Sequence, residues 1–93
     1  MDLSERLESL LRVAEELEIE VRAEPMGGEG GGMCRLKGRR VLFVDTSADL
    51  ATRYERTLNA MADLPDMESW FVPPAVREDL DRQRESARGG TQA

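Results

Sequence analysis

The sequence predicts an α+β domain, a small and mostly antiparallel sheet of about three strands covered by two or three helices, in the order α-β-β-β-α-(short β)-α. Three observations predict it. Val41-Leu42-Phe43-Val44 is apolar without alternation, as suits a strand covered on both faces or central in a small sheet. Met33-Cys34-Arg35-Leu36-Lys37 just before it alternates, and Gly38 between them supplies the positive φ of a tight turn, so 33–44 reads as a central β-hairpin. On either side of these strands, leucines recur at helical spacing.

The first helix carries Leu3, Leu7, Leu10, Leu11, Ala14 and Leu17 on one stripe, and Asp2 followed by Glu5 has capping-box spacing. Glu8 and Arg12, four apart, add a few tenths of a kcal/mol at most. No Gly or Pro stops this helix. Near Leu17 the period switches from 3.6 to 2, where Ile19, Val21 and Ala23 alternate with Glu18, Glu20, Arg22 and Glu24, and Pro25 ends the strand. Met26–Gly32 holds five glycines in seven residues and reads as a mobile connection or a close backbone approach. In the hairpin, Cys34 and Leu36 share one face, which the sequence reads as the buried one. Thr46 and Ser47 are candidate caps for a second helix over 48–63 with Leu50, Tyr54, Leu58 and Met61 on its stripe. Leu64-Pro65-Asp66 is a turn, and Trp70-Phe71-Val72 either adds an edge strand or plugs the core. Pro73-Pro74 opens a third helix through Val76, Leu80 and Gln83. The domain is expected over 1–83, with 84–93 a small, polar, disordered tail.

Ninety-three residues make one domain with one modest core. The net charge of −6 argues against nonspecific binding to nucleic acid or to an anionic membrane. Charge is unevenly placed: acidic side chains outnumber basic ones up to residue 24, whereas Arg35, Lys37, Arg39 and Arg40 cluster on the hairpin. One cysteine excludes an internal disulfide and fits a reducing compartment. No stretch approaches the ~20 apolar residues of a membrane-spanning helix, and the acidic start lacks the pattern of a signal peptide. A cytoplasmic protein is the expectation.

The absence of histidine removes Cys-His and Ser-His pairs, the H-E-x-x-H zinc site and every histidine general base. The glycine segment leads into a strand rather than a helix N-terminus and has no G-x-x-x-x-G-K-[ST], so it does not read as a phosphate loop. Cys34 is expected to be an inert, buried thiol rather than a thiolate activated by Arg35 or Arg39. Carboxylates are plentiful enough for acid–base work or for Mg²⁺ or Ca²⁺, and Asp45 at the end of the central strand, with Asp49 nearby, is the best placed. Capping the following helix is the simpler role for Asp45. The basic hairpin has three readings: a track for a phosphate backbone, a surface for an acidic protein or for helix 1 of a second copy, and charges that keep an edge strand from pairing with strangers. Trp70 and Phe71 are either core or an exposed anchor for a partner.

The layout of a strand followed by a long helix is similar to that of small bacterial zinc-peptidase domains. Where their helix carries two metal-binding histidines, this chain has Asn59, Ala60, Met61, Ala62 and Asp63, so that likeness implies an inactive relative. The run Gly31-Gly32-Met33-Cys34-Arg35-Leu36-Lys37-Gly38, then Val41-Leu42-Phe43-Val44-Asp45, with Tyr54-Glu55-Arg56, Leu64-Pro65 and Val72-Pro73-Pro74-Ala75-Val76-Arg77, resembles a family of short uncharacterised bacterial proteins. That resemblance implies a bacterial cytoplasmic origin and carries no activity, cofactor or catalytic residue. The expected function is non-enzymatic, with no cofactor or metal: a protein–protein interaction or homo-oligomeric module using Arg35, Lys37, Arg39, Arg40, Trp70 and Phe71. A nucleic-acid-associated protein using the hairpin, and a carboxylate enzyme using a metal, are the alternatives.

Overall fold

A computed structural model of the protein describes residues 1–29 and 31–90, with side chains up to Ser86. The chain runs α1 (Leu3–Glu16), β1 (Glu20–Glu24), β2 (Gly31–Leu36), β3 (Arg39–Asp45), α2 (Leu50–Ala62), a 3₁₀ turn (Pro65–Glu68) and α3 (Pro74–Gly90). It is an α+β fold around a three-stranded sheet of order β1-β3-β2. The unalternating apolar run does form the central strand.

The sheet is mixed rather than mostly antiparallel. β2 pairs antiparallel with β3, Leu36 facing Arg39, while β1 pairs parallel to β3, Glu20 facing Val41 and Glu24 facing Asp45. The cause is the long glycine-rich connection. It carries the chain across the end of β3, so that β3 slots between the two earlier strands instead of extending a meander. The two-residue turn has φ +52 at Lys37 and +80 at Gly38, the doubly positive pattern whose twist suits a hairpin.

α1 opens with the complete Asp2–Glu5 capping box, satisfying two helix-start amides reciprocally. It ends without glycine because Glu18 takes the left-handed position, φ +62. The Glu18 amide then donates to Glu15 O (3.0 Å) and the Ile19 amide to Ala14 O (2.9 Å), the paired reverse bonds of a Schellman motif. Both Ile19 and Ala14 are buried, which supplies its apolar contact.

The cap of α2 is Asp49, accepting from the Thr52 amide at 2.8 Å, and not Thr46 or Ser47. Trp70-Phe71-Val72 forms no strand. Val72 is buried, Trp70 half-buried against the core, and the guanidinium of Arg77 serves the carbonyls of Met67 (2.9 Å) and Trp70 (2.6 Å) in place of a strand partner. α3 runs to Gly90, into the segment 84–93 that the sequence reads as a tail. Arg84 is tied down, donating to Ala62 O at 3.1 Å and pairing with Glu68. Only the last part of that expected tail, 91–93, lies outside the described residues.

α1 and α2 lie against one face of the sheet, and α3 packs on these two helices. Leu10, Val13, Ala14, Leu42, Val44, Leu58, Met61, Val76 and Leu80 form the buried cluster between them. Among the described residues no helix is long and apolar enough to cross a membrane.

Candidate functional site

Strand alternation sorts β3 into two sets. Leu42 and Val44 point into the helix-covered core. Arg39, Val41, Phe43 and Asp45 point the other way. On that side the register brings Glu20, Arg22 and Glu24 of β1, with Gly32, Cys34 and Leu36 of β2. Cys34, Leu36, Val41 and Phe43 are absent from the core cluster; Cys34 and Leu36 are exposed and Phe43 half-buried on this open face, with Val41 buried beneath its neighbours.

This open face has two shallow hollows. One, of about 260 Å³ at the hairpin end, is lined by Glu20, Arg22, Leu36, Lys37, Arg39 and Val41. Val41 is its buried floor, and Leu36 stands 44 % exposed beside it. The other, of about 320 Å³ at the crossover end, is lined by Met26, Glu29, Gly32, Cys34 and Phe43 among others, with Met26 43 % exposed. Between them the Arg22 guanidinium lies 6.0 Å from the centre of the Phe43 ring while pairing with Glu20. The hydrogen bond that the Arg22 guanidinium donates to Glu20 holds it above its ordinary pKa, and the charge of Glu24 adds to this.

Cys34 is exposed, not buried. Its pairing with Leu36 on one face is as the alternation says, but that face is the open one. Met33, between them, is the residue that packs against the core. The basic hairpin is likewise divided. Lys37 and Arg39 share the hairpin-end hollow, whereas Arg35 and Arg40 face each other across the register with opposite parity. Arg40 is half-buried and donates to Leu17 O at 3.2 Å, tying β3 to the end of α1. Phe71 is 84 % exposed, and Trp70 beside it is turned inward, so the two do not form one anchor.

Asp45 is fully buried and caps no helix. Its Oδ1 accepts from the amides of Met26 (2.8 Å) and Ser47 (2.9 Å) and from the Ser47 hydroxyl, and Oδ2 accepts from the Gly28 amide at 2.6 Å. Ser47 in turn accepts from the Gly27 amide at 3.1 Å. The glycine loop thus folds over the end of β3 onto its own chain's carboxylate, and borders the open face at that end. Gly31 explains why the loop must end in glycine. A Cβ there would lie 2.0 Å from Phe43 O, at φ +98.

A second buried carboxylate, Asp79 of α3, was not legible in the sequence. It accepts from Arg6 of α1 (2.9 Å), Tyr54 of α2 (2.6 Å) and Arg82 (3.2 Å), linking all three helices. Burial pushes its carboxyl up, but the hydrogen bonds from Tyr54 and Arg6 and the two positive charges outweigh burial and hold it below the usual carboxylate value. Burial, then the bond to Asp79, pushes the Tyr54 phenol well above its usual value. The only sequence signal was an acidic residue next to Leu80 on the apolar stripe of α3. Of the α2 positions compared with metal-binding histidines, Met61 and Ala62 are buried in the core, while Asn59, Ala60 and Asp63 line a hollow beside Met33. Among the described residues no three His, Cys, Asp or Glu side chains cluster as metal ligands.

Comparison with protein-family models, with curated proteins and with solved structures finds no match to this chain.

Proposed function

We propose that this protein is a non-enzymatic interaction module whose contact surface is the open face of its sheet, working in the cytoplasm. The observation that carries the reading is the one-sided covering of the sheet. Leu36, Phe43, Cys34 and Met26 form an apolar strip floored by buried Val41 on the side away from the helices, rimmed by Lys37, Arg39, Glu24 and Glu29. An apolar centre with a charged rim is the anatomy of a protein contact. The two most deeply placed carboxylates, Asp45 and Asp79, have identifiable structural duties in holding the loop and the helices. That favours an interaction module over the carboxylate-enzyme alternative. The division of the basic cluster leaves the nucleic-acid alternative with two of its four residues on one surface.

Capture of the tagged protein's partners from its native lysate, with and without nuclease, and in parallel with the Leu36→Glu variant, tests this. The reading expects a partner, including untagged copies of the chain, that survives nuclease and is lost with Leu36→Glu. Retention indifferent to that substitution would remove the open face as the contact surface. Retention abolished by nuclease would move the nucleic-acid alternative ahead.

A further inference from the structure

We propose that the occupant of the open face is a second copy of this chain, stacked face to face about a twofold axis perpendicular to the strands, so that the two β3 strands run antiparallel. The inference deepens the interaction reading and rests on it. Its ground is that the face is complementary to itself when turned end for end. The hairpin end presents Lys37 and Arg39 beside exposed Leu36. The crossover end presents Glu29 beside exposed Met26, with Glu24 on the same face at the end of β1. In the middle, Glu20 and Arg22 neutralise each other.

Turning one copy end for end lays the basic end of each on the acidic end of the other, twice over. Leu36 of each copy meets Met26 of its mate, and the half-buried Phe43 of each lies at the centre over the hollow whose floor is Val41. Cys34 comes to lie over Gly32, where the missing side chain leaves room. Other arrangements fit less well. Stacking with the strands parallel places Lys37 and Arg39 on their own counterparts. Joining two β1 edges antiparallel about Arg22 sets Glu20 against Glu24, and like charges directly opposite are unfavourable. The free side of β2 is flanked by α2, whose Arg56, Asn59 and Asp63 wall the adjoining hollow.

The area bounds the strength. Three strands of five to seven residues make a face of roughly 14 by 20 Å, well under the ~800 Å² per partner of a standard interface. The dimer is therefore weak and appears only as concentration rises.

Sedimentation equilibrium on the full chain, from micromolar to millimolar concentration, reads it directly. The wild type is expected to pass from monomer to dimer. K37E/R39E and E24K/E29K, all at exposed positions, each place like charges together at both ends and weaken association about tenfold or more. Combining all four substitutions in one chain keeps the net charge at the wild-type −6, with two charges reversed in each direction, and restores the dimer. A wild type that stays monomeric throughout, or a four-fold variant as weak as either parent, overturns the proposal. A monomer whose captured partners are nonetheless lost with Leu36→Glu would overturn the second copy and leave the open-face reading standing. Association indifferent to both Leu36→Glu and the charge swaps would overturn both.

Discussion

Asp45 and Gly31 hold the two ends of the crossover that decides this topology. Removing the Asp45 carboxylate leaves the amides of Met26, Gly28 and Ser47 without that acceptor at a buried site. Asp45→Ala should therefore cost roughly 3 kcal/mol in urea unfolding and release the Met26 and Gly28 amides to fast hydrogen exchange. Full retention of amide protection would show that the carboxylate does not fasten the loop. Gly31→Ala should be harsher, because the added carbon meets the backbone of Phe43 in a conformation L residues rarely adopt. Little of this was visible beforehand. Asp45 stands two residues before Ser47 and near a helix start, which is where capping residues sit, so the simplest local role hid a long-range one. Cys34 shows the same limit: alternation correctly grouped it with Leu36, but a period of two cannot say which face the helices will cover.

Elements whose signals are local were legible; those set by tertiary contacts were not. The capping box of α1, the Gly38 turn and the apolar centre of β3 each follow from a few adjacent residues, and each stands in the structure. The parallel pairing of β1 follows from where the chain passes, and no pattern within Glu20–Glu24 encodes it. The stop of α1 is a further case, since Glu18 occupies a left-handed cap position that glycine usually fills. Glu18→Gly should accordingly stabilise the fold by about 1 kcal/mol, raising the melting temperature by several degrees. An unchanged or lower melting temperature would mean that the Glu18 side chain contributes more than its backbone costs. Between helices, the Asp79 cluster ties α1, α2 and α3 through one carboxylate. Tyr54→Phe should cost about 1–2 kcal/mol, since the shape is kept and one hydrogen bond to a charged group is lost.

The pH dependence of the whole molecule follows from that cluster. Asp79 is held below the ordinary carboxylate value of about 3.9, so its contribution is present above that value and is lost as pH falls through its lower folded value. Tyr54 is pushed above the ordinary phenol value of about 10, so its contribution is present below pH ~10 and declines as pH rises beyond it. Stability should fall at both extremes, and Tyr54→Phe should remove the phenol's share of the alkaline decline. Urea midpoints across pH check this; an alkaline limb identical in the variant would assign that decline elsewhere. At neutral pH the helices and loop are thus fastened, and one face of the sheet stays uncovered. Cys34, the chain's single thiol, stands on that face and reports on it without any substitution. The rate of its alkylation, compared between dilute and concentrated protein, is the most direct measurement. Rapid reaction when dilute and slowing of about tenfold or more as copies cover the face is the predicted result. A rate that stays the same as concentration rises, while the protein associates, would contradict the placement of the contact surface.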